Sequence, residues 1–298
     1  MAVPRSPPGA RAAALLAAAL FAALLAASCA SLPIAGAAAL PPEGSAPSWQ
    51  SLARGLDYAA FDLGDPPLRL RALRIDLAAP GVQVVVTPPS GRPGLTVGRR
   101  VSDFASAFGC VAAVNGGPFS YSSAAGLFAP RGLSISDGRL VSPPDPRYAA
   151  LVFPASGGAR VVRQADLPDL GTLRDAVGGF FVVLESGEPV GNDLRRAPRT
   201  AAGVSPDGRI LYLLVADGRQ RLSVGLTERE SGAWLAWLGA SEGLGLDGGG
   251  SSAMALRSGG GTKVVNVPIN CGVPGWERVV GNCLGFRSGP TIGARDRP

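Results

Sequence analysis

No histidine occurs anywhere in the 298 residues. That excludes a Ser-His-Asp or Cys-His nucleophile and any His-ligated zinc, so acid–base work would fall to carboxylates, Tyr, Lys, Cys or water. Charge is also sparse, at 17% of residues, whereas hydrophobic residues reach 46%. A chain of that balance buries a core and is not expected to be disordered. The net charge is +6, but no run of five Lys or Arg occurs. Part of the excess sits near the ends, at Arg5, Arg11, Arg287, Arg295 and Arg297. A nucleic-acid partner is therefore not expected. Abundance lies elsewhere: 42 Gly and 27 Pro predict a turn-rich, strand-rich globular body.

The N-terminus reads as a targeting segment. Arg5 and Arg11 precede an apolar Ala/Leu run over residues 12–27, closed by AASC at 26–29. Small residues before a cysteine resemble the lipobox of bacterial lipoproteins, which makes Cys29 the expected lipidated residue and the membrane a partner through that anchor. An ordinary signal peptide cut after Ala30 or Ala38 is the other reading, and both imply export. Residues 30–48 read as a flexible tether and 289–298 as a disordered tail, leaving one domain over 49–288. Export permits disulfides. Cys271 and Cys283, in NCGVPGWERVVGNC, are the expected pair, worth about 3 kcal/mol in the chain-entropy view. Cys110, in the apolar run FGCVAAV, reads as a buried small hydrophobe.

Along the domain, PLRLRALRIDL at 67–77 alternates apolar and charged residues as a strand with one wet face does. VQVVVTP at 82–88 and CVAAVN at 110–115 read as further strands. Helical spacing predicts helices over 97–108 and 227–238, the second with a capping box of Thr227 and Glu230 and a stripe of Trp234, Leu235 and Leu238. Asp137-Gly138 and Asp207-Gly208 predict hairpins. ILYLLVA at 210–216 is apolar on both faces and predicts a central strand. The expected class is α+β: a single domain of mostly antiparallel sheet with a few packed helices.

Four stretches carry candidate chemistry. LDGGGSS places Asp247 ahead of Gly248, Gly249, Gly250, Ser251 and Ser252, flanked by apolar strands. Without Cβ atoms such a loop can wrap a ligand and offer N–H groups to an anion; it can equally be a turn whose Asp caps its own backbone. It matches neither a Walker A loop nor a dinucleotide fingerprint. APRTAAGV presents Arg199, whose planar fork suits phosphate, and Thr200, or simply a surface Arg at a strand start. AVNGGPFS ends a buried strand with Asn115, Gly116 and Gly117, as an active-site loop or a plain turn. VADGRQ places Asp217 after the central strand, with Arg219 and Gln220 extending the polar cluster, again as site or turn.

Taken in order, NGGPF, PRTAAG, ADGRQ, a helix, LDGGGSS and the closing RVVGNCL resemble the phosphodiester glycosidase family over residues 65–287. Pro118 stands where that family more often has a second aromatic, and Ala202 where it more often has Ile. The resemblance implies an exported glycosidase that hydrolyses a sugar-1-phosphodiester at the glycosidic C–O bond in envelope or extracellular glycans. The alternative is a non-catalytic envelope protein that binds phosphodiester-linked polysaccharide. On the enzyme reading Arg199 clamps phosphate with the loop amides, Ser251 and Ser252, while Asp247 and Asp217 are the catalytic carboxylates. Asn115, Gly116, Gly117, Thr200 and the residues 248–252 contact substrate. No cofactor is expected. Carboxylates and loop carbonyls offer oxygens for Ca²⁺ or Mg²⁺, but no EF-hand spacing occurs.

Overall fold

The computed structural model describes residues 38–167 and 169–289. The targeting segment, Cys29 and residues 290–298 lie outside them. The expected α+β class is corrected: the fold is β-rich. The described residues are predominantly antiparallel strand, and their only α-helices are α1 (Val101–Ala107) and α2 (Glu228–Leu238). Turn residues interrupt the chain too often for longer helices: α1 ends after seven residues, at Phe108 and the left-handed Gly109.

An eight-stranded sheet forms the centre, in the order β1 (Gln50–Ala53), β2 (Leu56–Gly64), β3 (Pro67–Asp76), β17 (Ile210–Ala216), β16 (Arg199–Val204), β18 (Glu242–Gly245), β14 (Val182–Glu185), β15 (Glu188–Pro189). The doubly apolar β17 lies in its middle. Its odd residues Leu211, Leu213 and Val215 join Leu73 and Ile75 of β3 on one face, while Leu214 and Ala216 join Leu70 and Ala72 on the other. This is the period-two consequence of strand geometry.

The first face packs on two five-stranded sheets. One contains β9 (Ser134–Ser136), β11 (Ala149–Pro154) and β13 (Leu173–Gly178). The other is centred on β6 (Ala112–Asn115), between β19 (Met254–Ser258) and β23 (Cys283–Ser288). The second face is covered by α2 through Trp234, Leu235 and Leu238. The Thr227–Glu230 capping box starts that helix and the left-handed Gly239 ends it. α1 covers the outer face of the β6 sheet with Val101 and Phe104.

Within the segment expected as a tether, residues 38–48 lie on α2. Ala39 is fully buried, its N–H donates to Glu230 Oε1 at 2.8 Å, and Trp234 Nε1 donates to its carbonyl at 2.8 Å. Trp237 Nε1 donates to the Ser45 carbonyl.

The expected Cys271–Cys283 disulfide is not formed; the three cysteines of the described residues are free thiols. Cys283 opens β23 opposite Asn115 and is buried under α1 with Cys110. Cys271 sits exposed at the left-handed tip of the hairpin β21 (Ile269–Asn270) and β22 (Val273–Pro274). Burial pushes the Cys110 thiol up to about 11, as suits a packed hydrophobe rather than a nucleophile.

Candidate functional site

The loop 247–252 is held where the sheets meet. Leaving β18, Leu246 N–H donates to the Thr200 carbonyl of β16, and Asp247 N–H donates to the Gly116 carbonyl just past β6. Gly249 N–H donates to the Pro198 carbonyl, and Gly249 adopts φ 61°, which glycine accepts without strain. The amides of Asp247, Gly248, Gly249, Ser251 and Ser252 are therefore spent inside the protein. Gly248 N–H bonds Asp247 Oδ1, and the N–H groups of Ser251 and Ser252 bond the Gly248 and Gly249 carbonyls. An anion nest built from those amides, as the sequence suggested, is not available.

Asn115 is fully buried at the centre of this junction. Its Nδ2 donates to the Asp247 carbonyl at 2.6 Å and to the Gly116 carbonyl. Its Oδ1 accepts from Thr200 Oγ1 at 2.7 Å and from Ala253 N–H at 3.2 Å. Both ends of the amide are occupied, so Asn115 and the buried Thr200 position the loop rather than present themselves to substrate. Gly116 and Gly117 are packing positions. A Cβ on Gly117 would stand 1.7 Å from the Gly178 carbonyl oxygen at the end of β13.

Asp217 is likewise internal, 2% exposed. Its carboxylate accepts from Asn266 Nδ2 and from Val267 N–H, each at 2.9 Å. Asn266 in turn accepts from Met254 N–H and donates to the Ser252 carbonyl, which ties the loop exit to the β17 end. Burial pushes the Asp217 carboxyl up, against the hydrogen bonds that favour its ionised form.

Arg199 faces away from the loop mouth. Its Nε donates to the Leu226 carbonyl, and its Nη2 pairs with Asp193 at 3.0 Å and with the Arg195 carbonyl. Together with Thr200, Phe180 and Leu246 it lines a separate small cavity of about 270 Å³.

The loop opens instead on a cleft of about 720 Å³ bounded by Tyr121, Gly250, the 269–272 hairpin tip and residues 276–279. Three arginines line it: Arg100, Arg219 and Arg278. Arg278 stands at its centre. Its Nη2 donates to Tyr121 Oη at 2.9 Å, its Nη1 reaches Ser251 Oγ at 3.4 Å, and its guanidinium carbon lies 5.2 Å from the Phe119 ring centroid. Ser251 and the Arg278 charge both pull the Asp247 carboxyl down. Burial nevertheless dominates and holds the Asp247 carboxyl above its ordinary value. Tyr121 and Arg278 line the cleft, and Arg278 reaches the buried Ser251, which neighbours Asp247. Of the predicted carboxylates, Asp247 alone feels the Arg278 charge. A raised carboxyl beside a positioned cation can exchange a proton while the cation holds an anion.

Arg219 was visible in DGRQ as part of a polar cluster; its guanidinium stands against Gly249, 3.4 Å from where a Cβ would lie. Arg278 opens the closing RVVGNCL motif ahead of β23, and that motif was the available signal. Arg100, Tyr121 and Trp276 carried no sequence signal that separates them from ordinary surface residues. Among the described residues no group of three His, Cys, Asp or Glu is placed to hold a metal ion, and no helix is long and apolar enough to cross a membrane.

Comparison with known proteins agrees with this organisation. No curated protein matches the chain. Solved structures that share the fold include the following three. One is a presumed exported protein from Burkholderia pseudomallei K96243, with 17% identity and TM-score 0.60 over 85% of this chain and 98% of that one. Another is the zebrafish N-acetylglucosamine-1-phosphodiester alpha-N-acetylglucosaminidase catalytic domain, auto-inhibited by its pro-peptide, with 19% identity and TM-score 0.60 over 87% and 98%. A hypothetical protein from Synechocystis follows at 14% identity and TM-score 0.57, over 79% of this chain and 62% of that one. The phosphodiester glycosidase family profile matches residues 108–287, a stretch that contains the glycine loop, Asp247, Arg219 and Arg278. The chain belongs to the phosphodiester glycosidase family.

Proposed function

We propose that this chain hydrolyses a sugar-1-phosphodiester at the glycosidic C–O bond. The observation that carries the reading is the Arg278 guanidinium, held between Tyr121 and Ser251 within reach of the Asp247 charge. Water oxygen bonds to the sugar C1 as the bond from C1 to the phosphate oxygen breaks. The electron pair stays on that oxygen, and a phosphate monoester leaves. The water proton passes to the Asp247 carboxylate. A phosphate is a good leaving group, so neutralising its charge matters more than protonating it. Arg278 and Arg219 take the clamp role that the sequence suggested for Arg199, because the Arg199 guanidinium is bound to Asp193 and two carbonyls. Ser251 aligns Asp247 with Arg278. Asn115, Thr200 and Asp217 act through the loop they position.

Arg278→Ala and Asp247→Asn should each lower kcat/KM on a chromogenic sugar-1-phosphodiester by about 100-fold or more while the protein stays folded. Wild-type turnover in both folded variants would overturn the assignment. Binding of the diester by the wild type without release of product in a mass-spectrometric assay would instead favour the non-catalytic reading. Export and lipid anchoring at Cys29 belong to the same proposal. They are supported by the Arg5, Arg11 and AASC pattern and, for export, by likeness to the presumed exported protein. Mass spectrometry of the mature N-terminus decides them: a diacylglyceryl Cys29 is the expected result.

A further inference from the structure

The cleft beside Asp247 has an apolar side that phosphate chemistry does not use. Trp276 and Val279 are 48% and 40% exposed. Trp276 and Val279 line the same cleft as Arg100, Arg219 and Arg278, and Tyr121, 67% exposed, borders it. Exposed large apolar side chains gathered at the edge of a cationic cleft fit a ligand that carries an anion and a hydrocarbon on neighbouring atoms. A second sugar in the aglycone position would leave Val279 without a complementary surface, whereas a hydrocarbon chain covers both it and the Trp276 ring.

Resting on the hydrolase reading, we propose that the substrate is a glycosyl phosphodiester whose aglycone is a hydrocarbon chain. The sugar lies toward Asp247, the phosphate on Arg278 and Arg219, and the chain along Trp276 and Val279. Cleavage puts the water oxygen on the sugar C1 and leaves the bonding pair on the phosphate oxygen. The products are a free sugar and an alkyl phosphate monoester; no redox partner is required. The attraction is amphiphilic. Arginine holds the diester charge, and the exposed apolar wall removes the chain from water.

Two diesters of one sugar test this, one with an octyl and one with a hexosyl aglycone, both below the concentration at which the octyl compound forms micelles. The wild type should prefer the octyl diester in kcat/KM by at least about ten-fold, a discrimination that a few methylenes in an apolar pocket supply. The double variant Trp276→Ser/Val279→Ser replaces exposed side chains and should bring the ratio to about one while retaining hexosyl turnover. A wild-type ratio near one, or a preference for the hexosyl diester, overturns the proposal and leaves the hydrolase reading intact. A ratio that the double variant does not change overturns it too. If neither diester turns over, the hydrolase reading fails. The ligand class is then still read from Cys271, whose exposed thiol borders the cleft. Its alkylation, followed by peptide mass spectrometry in Asp247→Asn, should be slowed more by the octyl than by the hexosyl compound. Equal or absent protection overturns the aglycone assignment.

Discussion

Asp247 and Arg278 owe their proposed chemistry to opposite pressures on one carboxyl. Burial raises the Asp247 carboxyl, while Ser251, Arg278 and the Gly248 N–H pull it down, and burial wins. If Asp247 must be ionised to take the water proton, activity falls on the acid side, with a limb above the usual carboxylate range. Removing the cation removes a pull toward the ionised form. In Arg278→Gln the residual activity should therefore show its acid limb at higher pH than in the wild type, read from the kcat/KM profile. A limb that stays in place would mean that Asp247 is not the titrating group. Arg199 shows how far residue type alone reaches: its guanidinium chemistry was readable, but its direction depended on Asp193 and the Leu226 carbonyl.

Among the elements, α2 shows the closest agreement between sequence and structure. Its capping box, apolar stripe and glycine stop are local features, and local features are legible in a linear chain. What the helix binds was not legible. Glu230 caps the helix, receives the Ala39 N–H and pairs with Arg196 at 2.7 Å, both side chains being about one-tenth exposed. Burial would raise the Glu230 carboxyl, but Arg196 and the Thr227 and Ala39 N–H groups outweigh it and hold it below 4.5. A carboxyl depressed by folding adds stability above its unfolded value and loses it as pH falls through the folded one. Glu230→Ala leaves Arg196 buried without this counter-charge and should cost about 3–5 kcal/mol. Denaturant titration measures that loss at neutral pH. The gap between variant and wild type should narrow below pH 4.5.

At the scale of the whole molecule, the glycine loop is held by a junction of three sheets. Asn115, at the end of β6, ties Asp247, Thr200 and Ala253 together, and Gly117 lets β13 approach within a carbonyl's reach. Asn115→Ala should leave three buried groups short of a partner, at about 1–3 kcal/mol for each one left unsatisfied. A lowered Tm, with kcat reduced more than KM is changed, is the expected signature of a loop displaced rather than a contact to substrate removed. A raised KM at unchanged Tm would return Asn115 to the substrate-binding role that its sequence context suggested.

The sequence by itself determined the local elements, the absence of histidine chemistry and, through ordered motifs, the family. Apolar alternation, turn residues and caps act over a few positions. Tertiary structure decided which of the motif residues line the cleft and which are buried holding the loop. It also decided the β-rich class and separated Cys271 from Cys283. Side-chain direction, burial and cleft lining come from contacts more than a hundred residues apart, such as Asn115 with Asp247 or Trp234 with Ala39. No local pattern encodes those contacts, because the free energy that selects them belongs to the packed sheets as a whole.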